Sequence, residues 1–199
     1  MDDTPHFIPP HGGYEHLLSY QKSLVVFEGT VFFVKKWLPK FGDRTVDQMV
    51  QAARSGKQNI VEGSIASAMS KQKEIELTNW AKASQEELKE DYQDFLLTRK
   101  LKEWPSTHRY AQRLSTLCRK PGATYADFQR GIESYDPEIA ANVLLGLCKV
   151  TIYLLKRQIE SLEKAFLQEG GIRERMTKAR LEVRDQQRRE KRDSRDVRH

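Results

Sequence analysis

The stretch that decides the fold runs from Asp136 to Glu169, DPEIAANVLLGLCKVTIYLLKRQIESLEKAFLQE, and is followed by Gly170-Gly171. Asp at a cap position with Pro next to it opens a helix, because the N–H that Pro lacks would have no intrahelical partner there. Cys148, Ile152, Leu155, Ile159, Leu162 and Phe166 then keep a seven-residue repeat, and Val143, Leu147, Val150 and Leu154 widen the stripe. The glycine pair predicts the end of the helix. An amphipathic helix of this kind is stabilised chiefly by packing, so it predicts helical partners.

Those partners lie upstream. Ser70 is placed to cap a helix from Lys71 to near Lys102, with Leu77, Trp80, Ala81, Ser84, Leu88, Tyr92, Phe95 and Leu96 inward. Its opposite face carries Glu74, Glu76, Glu86, Glu87, Glu90, Asp91 and Asp94. Before it, Thr45 or Asp43 caps a helix that runs to near Ile65, with Val46, Val50, Ala53 and Ile60 as its buried stripe and Gly63 as a break or end. The first helix spans Tyr14 to Leu38 and is stopped by Pro39; its Val and Phe clusters also suit a strand, but its length favours helix. Apolar residues at 24 to 27 and 31 to 34 cover more than one face, which implies burial on several sides or a second copy of the chain.

Residues 103 to 135 are too long for an ordinary connection in a helix bundle. After Trp104-Pro105 they predict two short helices, His108 to Arg119 and Tyr125 to Ser134, the second opened by the capping-box pattern Thr124-x-x-Asp127. The expected fold is therefore all-α: an antiparallel up-down four-helix bundle over 14–169 with a long connection between helices three and four. An irregular arm, 1–13, precedes it, and a basic C-terminal helical extension, 170–199, follows.

Charge is distributed unevenly. The net charge is +6, and Gly171 to His199 alone holds eleven Lys/Arg against six Asp/Glu, a surplus of +5. Arg173, Arg175, Lys178, Arg180, Arg184, Arg188, Arg189 and Arg192 give this tail the composition of a phosphate-binding arm, while the interspersed acids also suit a merely solvated helix or a disordered tail, and the sparse apolar positions suit helicity only on docking or binding. Arg54 and Lys57, at i and i+3, pose the same choice between phosphate contact and pairing across subunits. The acidic face of the third helix suits a divalent cation in principle and, more simply, is a solvated face or one that pairs with basic residues of a neighbour.

The chemistry of catalysis is not signalled. There is no paired Glu-x-x-His for a di-iron bundle, no Gly-rich phosphate loop, and His6, His11, His16, His108 and His199 form no triad pattern. Cys118 and Cys148 stand alone, as reduced thiols would. The expectation is a non-enzymatic protein without cofactor or metal. No signal-like start is present, and the apolar run Leu24 to Val34 is too short to span a bilayer, so the expected location is cytoplasmic with no membrane partner.

Gln48 to Gly63, QMVQAARSGKQNIVEG, resembles the signature of the 23S rRNA intervening-sequence four-helix-bundle proteins, approximately Q-x-x-R-A-A-x-S-I-x-x-N-I-A-E-G. The likeness rests on Ala52-Ala53, Ser55 and Asn59-Ile60-Val61-Glu62-Gly63, and extends from Leu17 to near Phe166 apart from the long connection. Gln51 and Gly56 depart from the pattern, standing where the family has Arg and Ile. The tail resembles a suffix extension carried by part of that family. The resemblance implies a homopentamer without enzymatic activity. The related accessory variability determinant of diversity-generating retroelements implies RNA or DNA and a reverse transcriptase as partners. Ser55, Asn59, Glu62 and Gly63 also fit a structural role, with Asn59 and Glu62 holding a turn at Gly63. Two functions from different classes follow: a nucleic-acid-binding homo-oligomer, or an assembly or adaptor factor that touches nucleic acid incidentally.

Overall fold

Local cap chemistry sets most helix starts. The Ser70 hydroxyl accepts from the Lys73 amide at 3.2 Å, the Asp136 carboxylate accepts from the Glu138 amide at 2.8 Å, and Thr124 with Asp127 forms the reciprocal capping box. The computed structural model describes residues 12–38, 44–120 and 122–196, excepting the side chains of Glu169, Arg173 and residues 191–196. Pro39, Asp43 and the arm before Gly12 lie outside the described residues. Among those described, seven α-helices form and no strand does: α1 Leu18–Trp37, α2 Arg44–Ala66, α3 Lys71–Thr98, α4 Arg109–Cys118, α5 Tyr125–Ile132, α6 Pro137–Glu169 and α7 Ile172–Asp196.

Four long helices carry the core. α1 packs on α2 and α6, and α3 packs on α2 and α6. Inside, Thr30 and Tyr92 share a hydrogen bond at 2.9 Å, and the Phe33 ring meets Tyr92 and Phe95 edge to face, with centroids 5.1 and 4.7 Å apart. α2 approaches α3 through Ala53, Gly56, Ile60 and Gly63, spaced so that one narrow face meets its neighbour. A side chain at Gly56 would strike the fully buried Gln85, so the small residue at 56 and the large one at 85 are complementary.

The connection is a cover, not a loop. α4 and α5 both lie on α6. A side chain at Gly146 would collide with Leu114 of α4, and a Cβ at Gly29 of α1 would come within 2.5 Å of Leu144 and 3.3 Å of Ile132, so these contacts demand glycine. Buried Asn142 clamps the entry to the connection: its amide nitrogen donates to the Lys102 and Glu138 carbonyls at 2.8 and 2.9 Å, and its oxygen accepts from the Trp104 amide at 2.8 Å. Lys36 closes the exit by donating to the Glu133 and Ser134 carbonyls at 3.1 and 2.9 Å, at the C-terminus of α5, where a cation is favoured.

Several boundaries differ from those read in the sequence. Tyr14–His16 is a 3-10 turn after left-handed Gly13, and the first α-helix starts at Leu18. α2 continues through Gly63 to Ala66 because Gly63 sits against α3 rather than at a turn. α3 stops at Thr98, where Lys100 takes φ 56. Trp80, expected inside, is 59% exposed: Ala81 takes the inward position beside it. Val46, Val50 and Ser84 are half-buried, and Met49, Ala52 and Gln85 fill the interior. The apolar run from Leu24 to Val34 is buried or half-buried within one chain, so it calls for no second copy to cover it.

Lys22 of α1 is buried beneath the connection, donating to the Ala123 carbonyl at 3.4 Å with its ammonium 5.3 Å from the centre of the Phe128 ring. Burial holds its pKa below the usual lysine value, opposed by Cys118 and Asp127. The folded state therefore binds fewer protons than the unfolded state between the lowered value and 10.5. The resulting cost is full below that window and fades as pH rises through it. In denaturant titrations, Lys22→Met should gain stability relative to the parent most at neutral pH, the gain narrowing towards pH 10.5; a pH-independent difference would contradict this assignment.

Candidate nucleic-acid interface

Gly170 takes φ 68, the left-handed region that favours glycine, and the chain then re-enters a helix whose first turn is capped by Glu174 accepting from the Gly171 amide at 2.9 Å. α7 is continuous over 25 residues, about 37 Å at 1.5 Å per residue. The sequence made its helicity conditional on docking; the helix forms in the single chain. None of the other six helices packs extensively on it. From Glu174 to Glu190 its side chains are exposed apart from half-buried Arg175 and Ala179.

Arg180, Arg184 and Arg188 lie at i, i+4 and i+8 along α7, with Arg189 adjoining and Lys178 two residues before, on another side of the helix. Among the described residues none of these five has a carboxylate within salt-bridge distance, although α7 contains Glu174, Glu182, Asp185 and Glu190. Arg175 has a buried Nε without a hydrogen-bond partner among the described residues. The side chains of Arg173 and Arg192 lie outside the described residues. What α7 offers chemically is a row of guanidinium groups whose forks are free to take phosphate oxygens in pairs.

The pair on α2 has a different character. Arg54 is exposed, whereas the half-buried Lys57 leans across to α1 with its ammonium 4.8 Å from the centre of the Phe27 ring. Ser55 and Asn59 are half-buried, Glu62 is exposed, and Gly63 is buried with the Glu74 carbonyl and Leu77 Cβ 3.4 Å from where its Cβ would stand. Among the described residues, neither Asn59 nor Glu62 makes a side-chain hydrogen bond. The turn expected at Gly63 falls later, where Ser67 Oγ donates to the Ser64 carbonyl at 2.6 Å. The α2 cations and the α7 row are thus two separate basic features.

On α3 the acids divide. Glu74, Glu76 and Glu86 pair with Lys71, Lys73 and Lys89 at 3.0, 3.1 and 2.5 Å, each one turn away. Asp91 has no such partner among the described residues, and burial, reinforced by Asp94, Glu87 and Glu90, pushes its carboxyl up to about 6. Among the described residues no three of His, Cys, Asp or Glu converge as metal ligands would. Both cysteines are free and buried, and burial raises the Cys118 thiol to about 11, which keeps it in the unreactive protonated form.

A cleft of about 1220 Å³, unforeseen in the sequence, lies between α4, α5 and α6 and is lined by Leu114, Leu117, Phe128, Ile139 and Val143. Its one sequence signal is the length of the connection, since long structured connections tend to be functional. Comparison of the chain with protein-family models, with curated proteins and with solved structures finds no match.

Proposed function

We propose that this chain is a non-catalytic, cytoplasmic, homo-oligomeric nucleic-acid-binding protein, with RNA as the favoured ligand. In this reading the four long helices, α1, α2, α3 and α6, form an antiparallel up-down four-helix bundle, and α7 is the phosphate-contacting arm. The observation that carries the reading is the arginine row on α7: cations held on one helix without acidic partners among the described residues are available to replace the counterions of a nucleic-acid backbone. Guanidinium forks suit phosphate better than the ammonium of Lys57, which leans on Phe27. The resemblance of Gln48 to Gly63 to the intervening-sequence bundle proteins, and through them to a reverse-transcriptase accessory factor, points the same way.

α6 is long and apolar enough to cross a membrane by length and composition, yet 56% of its apolar window is buried inside the chain, which supports a core role. Self-association rests on other residues than the run at Leu24. Trp80, Met69 and Tyr153 are 59, 67 and 62% exposed, and Ile65 adds to them, more large apolar surface than a solitary bundle gains by showing to water. This surface also supports the second reading, an assembly or adaptor factor, in which these side chains meet another protein.

Two outcomes test the proposal. In sedimentation velocity at micromolar concentration the chain should run as an oligomer, five copies by the resemblance, and Trp80→Glu should shift it towards smaller species; a monomeric parent would refute the assembly. Binding of a fluorescent single-stranded RNA should weaken on deletion of Gly171–His199, with a slope of log affinity against log salt shallower by about 0.7 for each lost phosphate contact. Arg184→Glu with Arg188→Glu should reproduce most of that loss, while equal affinity and slope in all three proteins would leave α7 without the role assigned to it.

A further inference from the structure

The cleft between α4, α5 and α6 has a chemistry distinct from the arm. Its floor is aliphatic and aromatic, and its rim carries Arg109, Arg113, Lys120 and Arg130 with one carboxylate, Asp127. That carboxylate is already engaged: it accepts from Lys120 Nζ at 2.6 Å and from the Thr124 amide at 2.9 Å. Arg109 stacks on Tyr110, its guanidinium carbon 4.5 Å from the ring centre. Arg113 and Arg130 are exposed and, among the described residues, have no acidic partner. From this combination of apolar floor and uncompensated cationic rim, we propose that the cleft is a docking groove for an acidic amphipathic helix of another protein.

Shape and charge select that occupant. α4 and α5 each rest on α6 and leave a trough between them, into which the apolar face of a third short helix fits against Leu117, Ile139 and Val143. Carboxylates on its flanks meet Arg113 and Arg130 on opposite walls, which fixes register and excludes basic helices. The chain's own α7 carries the same sign of charge as the rim and is repelled by it. Nucleic acid fits the rim but not the floor. Stacking of bases needs open aromatic faces, and Trp104 is occupied by His108, ring centres 4.8 Å apart and nearly parallel, and by Tyr110 at 5.4 Å.

The test uses the full chain and a fluorescein-labelled synthetic helix of about four turns, leucine on one face and glutamate on the other, with a lysine-for-glutamate twin as control. Anisotropy should show binding of the glutamate peptide and not the lysine peptide. Arg113→Glu with Arg130→Glu should weaken the glutamate peptide by about tenfold or more and admit the lysine peptide, while Arg184→Glu with Arg188→Glu on α7 should leave both unchanged. Both rim residues are exposed, so helicity by circular dichroism should be unaltered, and the milder pair Arg113→Gln with Arg130→Gln should give an intermediate loss. The proposal is overturned if the glutamate peptide fails to bind, if both peptides bind equally, or if its binding is lost with the α7 charges instead. It is overturned equally if the rim reversals abolish RNA binding or dissociate the oligomer, which would make nucleic acid or a second copy the occupant.

Discussion

From Ala140 to Cys148, α6 has no side facing water: eight of these nine residues are buried and Gly146 is half-buried. Nine consecutive helical positions sweep every direction around the axis, so neighbours are required on all sides. α1 and α3 supply one pair, and α4 and α5 supply the other. Each large apolar side chain withdrawn from water here contributes about 1.5 to 3 kcal/mol, an incentive that four helices alone could not capture in full, because a bundle leaves the outer face of each member exposed. The connection between α3 and α6 is thus part of the core. The close approaches at Gly29 and Gly146 and the clamps at Asn142 and Lys36 follow from the need to seat it.

How much of this was legible depends on how local its cause is. Ser70, Thr124, Asp136 and Gly170 announced their roles because a cap is settled within a few residues, and the structure places a helix boundary at each. Burial was harder. The period of α3 marks a stripe wider than the one buried: of the adjacent pair read as inward, Ala81 is fully buried in a cluster with Ile60 and Leu155, while Trp80 is exposed. Gln85 was invisible as an interior residue because its place is made by Gly56 on another helix, twenty-nine positions away. Asn142 had a signal, a lone polar residue in an apolar run, although its partners on the preceding connection could not be read from spacing.

The same distinction holds for function. The cationic surplus of the tail is a property of composition and was plain in the sequence; that Arg180, Arg184 and Arg188 stay clear of the acids beside them is a property of the helix they ride on. The cleft is created only when two short helices settle on a third, so no window of sequence contains it. The molecule consequently separates two basic surfaces: guanidinium groups on a slender helix, suited to a polyanion, and a cationic rim around an apolar trough, suited to a folded acidic partner. On the function proposed above, such a division would let one chain hold a nucleic acid and a protein at once.

The dependence of the cover on α6 is tested most directly by hydrogen exchange on Gly146→Leu. Leucine favours helix more than glycine by several tenths of a kcal/mol or more, so α6 itself is not weakened, and only the seat of Leu114 is filled. The account predicts that amides of α4, and with them the cleft, lose protection while α1, α2, α3 and α6 keep theirs. Unchanged protection of α4, or loss spread evenly over all six helices, would contradict it.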